Sequence, residues 1–498
     1  MINIIRISVS VILLIGGLLL VPTTTVMGAC HAVPTFADNL KPTNHLPVAV
    51  NGSDINGDGS PGSPFATITH AARQATAGTA VVVHSGIYPG GIYLDGIRGT
   101  AAAPIWIGGA AGELRPVIEG GGEGIHVSHG TYLVLHDLEV RNAAQNGINV
   151  DDGGDYSNPL AAHHILFERL YIHDIGGSGN QDGLKLSGIN DFMVRDSEIM
   201  RCGGGISGSG IDLVGCHRGI IAGCTFEDMS GNAIQCKGGS EDIDIRWNRI
   251  RNAGQRGVNL GGSTGFQYFR PPLSTETPNV EARNIRVLSN IFEGTVTPVA
   301  FVGCIDSVVA NNTIIDPDRW IFRILQETVT TGSYEFLPCG DNRFGNNLVY
   351  FDRSQLSTYV NIGPNTDPAS FVFTNNLWFA HDNPSSSTPG LPSPESDGIY
   401  SHDPLLNDPS TGDYRIGPES PAVGTGLSPA LLEGDIAGSC YRLPPSIGAY
   451  EYVNPCQGDS EPDGDVDGID IWKIIIKVGQ SETSVSELAA DFGRMNCL

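Results

Sequence analysis

The residues able to do acid–base chemistry recur in one frame along the chain. Apolar-polar-apolar triplets follow a small residue in GINV (147–150), GLKL (183–186), GIDL (210–213), AIQC (233–236) and GVNL (257–260). PVAF (298–301), FRI (322–324) and VNI (360–362) continue the series. The middle positions read Asn149, Lys185, Asp212, Gln235, Asn259, Ala300, Arg323 and Asn361, with His126 of GIHV ahead of them. Asp151, Asp152 and Lys237 lie just beyond their own triplets, and Asp182 just before its triplet. Cations set among carboxylates and amides suit β-elimination on a uronic-acid polymer. That reaction needs a base near the C5 proton and positive charge on the carboxylate, to stabilise an enolate-like transition state. A lysine whose pKa is lowered serves as such a base. Close carboxylates on adjacent coils, such as Asp182 and Asp212 with one raised in pKa, would suit hydrolysis instead. As plain solvated residues, Lys185 and Asp212 would form a cross-coil ion pair worth under about 1 kcal/mol.

A second chemistry sits near the C-terminus. The run DSEPDGDVDGID places Asp459, Glu461, Asp463, Asp467 and Asp470 at the side-chain positions of an EF-hand loop, with Gly464 at the turn. Oxygen ligands so spaced converge on one calcium ion, and Asp465 would add its backbone carbonyl. The apolar run IWKIIIKVG supplies the following helix.

The triplets must be carried by elements that repeat. Between them runs another series: ILFERLYI, FMVRDSEI, IIAGCTFE, IDIRWNRI, IRVLSNIF, VVANNTII, RFGNNLVY and FVFTNNLW. Aligned, it gives the column Leu170, Ser197, Cys224, Asn248, Asn290, Asn312, Asn347 and Asn376. Near-constant steps with occasional insertions are the mark of a solenoid, in which each coil buries its apolar face only by stacking. Period-two alternation with glycine at the turns excludes helical repeats. The five asparagines would stack as a ladder, each amide bonded to the next.

This pattern resembles the right-handed parallel β-helix family over roughly residues 46–400. The segment from Asn51, with a short amphipathic helix expected over about Ala66 to Ala77, looks like the usual start of such proteins. The stretch 403–451 resembles the closing segment of exported β-helix proteins called choice-of-anchor Q. QDGLKLSG (181–188) resembles the GFKLGG stretch of family nine polysaccharide lyases. That likeness implies Lys185 as catalytic base; the row itself offers Lys237 of AIQCKGG as rival base and Arg323 as a further catalytic cation. Asn149, Asp212, Gln235 and Asn259 would contact substrate. Those lyases carry a calcium cluster one coil before the lysine; here that coil reads QNGINVDDG, with Asn149 in the aspartate's place. A second calcium site would be rebuilt from Asp151, Asp152 and Asp182. The acidic loop resembles a dockerin repeat, in which position 12 is often Asp. Glu461 departs from that pattern, and the half ending LAADFGRMNC has no second acidic loop. A small calcium-folded module is therefore expected rather than a cohesin-binding one.

Composition agrees with a turn-rich, well-buried β protein. Glycine numbers 65, about 13% of the chain against a usual ~7%. With 28 basic and 54 acidic residues the net charge is −26, which argues against nucleic acid as a partner. The first 29 residues, with Arg6 ahead of the apolar run Val11 to Val21, read as a signal peptide. The alternative fate of that end is a lipid anchor at Cys30, in a lipobox-like MGAC. Cys202, Cys216, Cys224, Cys236 and Cys304 fall inside repeats, where a buried thiol fits a stack. Cys456 and Cys497 bracket the last module and would close it as a disulfide.

The domain reading is a signal peptide (1–29), an N-terminal cap with first coils (30–115), a parallel β-helix (116–402), a closing segment (403–452) and a calcium module (456–498). The function expected is an exported polysaccharide lyase on an acidic glycan. The competing expectation is a non-catalytic surface protein that binds glycan. A concave cleft walled by the insertions 151–163 and 263–281 would favour the enzyme.

Overall fold

The structure, a computed structural model, describes residues 29–428 and 430–453. The signal peptide before residue 29, the acidic loop 459–470 and the Cys456 and Cys497 pair lie outside the described residues. Three parallel sheets of 14, 10 and 12 strands run the length of the solenoid. The first spans strands from Asn44–Val48 to Glu395–Ser396, the second from Ile92–Asp95 to Val360–Ile362, and the third from Ile87–Pro89 to Ile399–Tyr400. One coil illustrates the path: His163–Glu168 in the first sheet, Tyr171–His173 in the third, then Leu184–Ser187 in the second. Inward side chains from all three sheets, such as Ile165, Phe167, Ile172, Leu184 and Leu186, are fully buried in one continuous core. Burying one such side chain is worth roughly 1.5–3 kcal/mol, so each coil gains its stability only against its neighbours.

The triplets stack in the expected register. Asn149 pairs with His126 and Lys185, Lys185 with Asp212, Asp212 with Gln235, and Gln235 with Asn259. Ala300, Arg323 and Asn361 follow, and Tyr93 precedes His126. Glycine stands before the triplets for a steric reason. A Cβ at Gly147 or Gly183 would lie 2.6 or 2.7 Å from the carbonyl oxygen of the next coil.

The asparagine ladder forms at the two-residue turns between the first and third sheets. Nδ2 of Asn248, Asn290, Asn312 and Asn347 donates to Oδ1 of the next member, at 2.9–3.0 Å in each case. Each amide also donates to a backbone carbonyl of the preceding coil, so these fully buried side chains are satisfied. The residue before each member is held left-handed, at φ 60° for Trp247, 53° for Ser289 and 54° for Asn311 and Asn346. Asn376 ends the run by donating 2.7 Å to the Glu395 carboxylate, which also accepts from Trp378 and Tyr400. Every amide therefore points toward that negative charge.

The N-terminal helix is shorter than expected, Ile68–Gln74, with Thr67 accepting from the His70 N–H at its start. Its buried Ile68, Ala71 and Ala72 join the core beside Val48 and Phe65. The segment 403–452 does not continue the stack. A hairpin of Leu406–Asp408 and Asp413–Ile416 and the strand-free stretch to Tyr452 lie against the outer face of the third sheet. Leu348, Leu377 and Phe379 pack there with Ile416, Ala422 and Ile447. Cys440 in this segment is disulfide-bonded to Cys30, which takes the sulfur that a lipid at Cys30 would need. Trp247 donates to the Gly434 carbonyl and stacks near His31, fixing both ends of the described chain to one flank. The five repeat cysteines and Cys339 are buried and free.

Candidate functional site

A cleft of about 620 Å³ lies over the second sheet. Asn149, Lys185 and Lys237 form its floor, Asn146 and Asn180 one side, and Asp151–Tyr156 and Ser263–Arg270 the other. Both expected insertions thus serve as its wall. They are clamped together: Arg270 makes two hydrogen bonds to Asp152, at 2.6 and 3.0 Å, and its guanidinium stands 4.1 Å from the Tyr156 ring. Glu281 braces the second insertion by accepting from the Gly238 and Thr264 N–H groups and the Thr264 and Thr328 hydroxyls. Arg270, Tyr156 and Glu281 stand outside the repeats, so no periodic signal marks them.

Beneath the floor, two lysines share one carboxylate. Asp212, fully buried, bonds the Lys185 ammonium and lies 3.2 Å from that of Lys237. Asp182, 1% exposed, is 3.4 Å from Lys185 and accepts the Ser209 N–H. The lysine side chains are 18% and 12% exposed, and both line the cleft. The pKa of Lys185 is raised: Asp212 and Asp182 outweigh burial and hold it protonated. That differs from the lowered pKa expected of a lysine base. The two acids are driven apart. Burial, together with the charge of Asp212, pushes Asp182 up to about 7, whereas Asp212 is lowered because its two lysines overcome its burial. The Asp212–Lys185 pair is therefore a buried one, not the solvated pair that an outer face suggests.

Asp151, Asp152 and Asp182 do not converge. Asp151 bonds His126 and Ser128, Asp152 bonds Arg270, and Asp182 faces Lys185. Among the described residues no group of three His, Cys, Asp or Glu side chains is placed to hold a metal ion. Of the remaining positions, Gln235 accepts from Lys237 at 3.4 Å, and Asn259 is buried under Arg256, which donates to it at 3.1 Å. Arg323 is absent from the cleft lining and lies further along the row, bonded to Asn361 at 2.9 Å.

A family model describing a right-handed β-helix region matches residues 123–269. No curated protein matches the sequence. Among solved structures, a pectate lyase (Pel9A) is similar at 16% identity, covering 83% of this chain and 98% of that chain, with a TM-score of 0.53. XylC in complex with xylose is similar at 13% identity, covering 82% and 98%, with a TM-score of 0.50. A rhamnogalacturonan lyase gives 15% identity, 67% and 87% coverage, and a TM-score of 0.49. The fold is a right-handed parallel β-helix with a walled, lysine-floored cleft on its second sheet.

Proposed function

We propose that the chain is an exported carbohydrate-active protein, a polysaccharide lyase that cleaves an acidic polysaccharide by β-elimination over Lys185 and Lys237. The observation that carries this reading is the pair of lysines anchored on one buried carboxylate at the floor of a walled cleft. The net charge of −26 repels an anionic substrate at long range, and the Lys185 ammonium in the cleft lining is the group that attracts it locally. The fold shared with a pectate lyase supports the reading, and the Cys30–Cys440 disulfide suits an oxidising compartment outside the cytosol. Calcium belongs to the reading through the acidic loop 459–470, as a folded terminal module.

In this mechanism Lys185 is the electrostatic clamp. Its ammonium, held by Asp212 and Asp182, binds the uronate carboxylate and stabilises the charge that grows there as the C5 proton leaves. Lys237, which shares Asp212 but among the described residues lies against no second carboxylate, is the base that takes that proton on Nζ. The C5–H electron pair becomes the C4–C5 double bond, the C4–O bond breaks, and the leaving oxygen takes a proton from water. The base in this reading is thus Lys237, the rival position, in place of the Lys185 that the resemblance implies, since a lysine gripped by two carboxylates is a poor base.

A hydrolase is the second reading, favoured by the opposed pKa shifts of Asp182 and Asp212. Both carboxylates are buried against Lys185 and stand outside the cleft lining, which keeps them from flanking a glycosidic bond. Incubation with a panel of polyuronates separates the readings. Unsaturated product absorbing in the ultraviolet, lost in Lys237→Ala and in Lys237→Arg, supports the lyase. New reducing ends without unsaturation support the hydrolase, and glycan binding without either product leaves a binding protein.

A further inference from the structure

Beyond the cleft, the same outer face carries a second group of cations. Arg323 follows the floor residues in the row, and its guanidinium stands 4.4 Å from the Trp320 ring centroid. That of Arg319 stands 4.2 Å from the same ring. Arg256 reaches toward them from the strand Arg256–Gly261, bonding Glu327 at 2.6 Å. Among the described residues no carboxylate lies within ion-pair distance of Arg323 or Arg319, so three guanidiniums face one acid. The crowding is felt at Arg323, whose pKa is lowered by burial and by the charges of Arg256 and Arg319, against the opposing Glu327. On a chain of net charge −26, such an uncompensated cluster beside an indole is unusual, and its chemistry suits a sugar carrying an anionic group. Guanidinium forks bind carboxylate, and the half-buried Trp320 ring adds apolar surface for a pyranose.

Its place along the helix gives the spacing. Arg323 lies three strands beyond the level of Gln235 and Lys237, about 14 Å, and five beyond Lys185, about 24 Å, at one strand per ~4.8 Å. One strand spacing is close to the advance of one pyranose along an extended glycan. A chain laid along the helix axis would therefore set one uronate on the cleft lysines and another on the arginines a few residues away.

Resting on the lyase reading above, we infer that Arg323, Arg319, Arg256 and Trp320 form a distal subsite for a uronate residue, and that the substrate lies parallel to the helix axis. Arg323 then binds substrate remote from the reacting bond and takes no part in the chemistry. The test uses calorimetric binding of trimers and hexamers of galacturonate, mannuronate and glucuronate to the full-length protein, which does not depend on turnover. The expected result is a preference of about tenfold for a hexamer over its trimer, the scale of one charge-assisted contact. Arg323→Gln removes the preference, Arg323→Lys restores part of it, and Lys185→Ala weakens both lengths while the preference remains. Equal affinity for both lengths, or a preference that survives Arg323→Gln, overturns the distal subsite and leaves the lyase reading standing. Binding of none of these oligomers overturns both.

Discussion

Lys185 and Asp212 face each other across one strand spacing, and the carboxylate of that pair is fully buried while Lys185 lines the cleft. Asp212 also holds Lys237, so a single side chain sets the position of both cations on the cleft floor. Removing it leaves the Lys185 ammonium and Lys237 partly buried without the carboxylate they share. Asp212→Asn should cost about 3–5 kcal/mol, the scale of breaking a buried pair from one side. A denaturant melt of the variant checks this; a loss under about 1 kcal/mol would mean that the lysines simply swing out to water.

Asp182 gives the stability a pH dependence of known sign. Its pKa in the folded protein is pushed up to about 7 from an ordinary 3.8, chiefly by burial and then by Asp212. The folded state binds this proton more tightly than the unfolded chain. The contribution is therefore complete at acid pH and is lost as pH rises from the ordinary carboxylate range through about 7. Asp182→Asn removes that loss, so the melting temperature of the variant minus that of the wild type should grow with pH. Asp435, also raised to about 7 by burial, is present in both proteins and cancels in the difference. A difference that is flat or shrinks between about pH 4 and pH 8 would contradict the assignment.

The ladder predicts an asymmetric response to mutation. Asn312→Leu strips the acceptor from both the Asn290 amide and the Asn290 backbone N–H. The amide keeps the Ile245 and Leu288 carbonyls, so the donor left stranded is the backbone N–H, at a cost of roughly 1–3 kcal/mol. Glu395→Gln keeps an acceptor at the end of the run but removes the charge toward which the amides point, and should cost less than Asn312→Leu. Thermal unfolding followed by amide exchange along residues 248–376 would order the two variants; the reverse order would deny the ladder its role.

For the acidic loop the expectation is calcium binding coupled to ordering of residues 459–478. Calorimetric titration of the full-length protein should show one calcium site preferred over magnesium, because a flexible oxygen cage suits the larger ion. Asp463→Ala or Asp470→Ala should weaken it sharply without moving the melt of the β-helix. Calcium heat that persists in both variants would place the ion elsewhere.

Much of this architecture was legible because solenoid contacts are short in register. The row from Asn149 to Asn361 and the ladder from Asn248 to Asn376 follow from period alone, since a residue one coil away is always the neighbour. The unread parts are contacts that period cannot encode. Arg270 meets Asp152 at a separation of 118 residues, across two insertions that belong to no repeat. Glu395 ends the ladder although its residue type breaks the column. The raised pKa of Lys185 has a related cause: a triplet shows which side chains are neighbours, but not that Asp182 and Asp212 are sealed from water.

The Cys30–Cys440 bond joins positions 410 residues apart, and both lie at the flank near Trp247 rather than at opposite ends of the stack. The chain between them is a closed covalent ring. Tension applied between residue 30 and the segment after Cys440 is carried by one sulfur–sulfur bond, and the coils, with the cleft built on them, bear none of it.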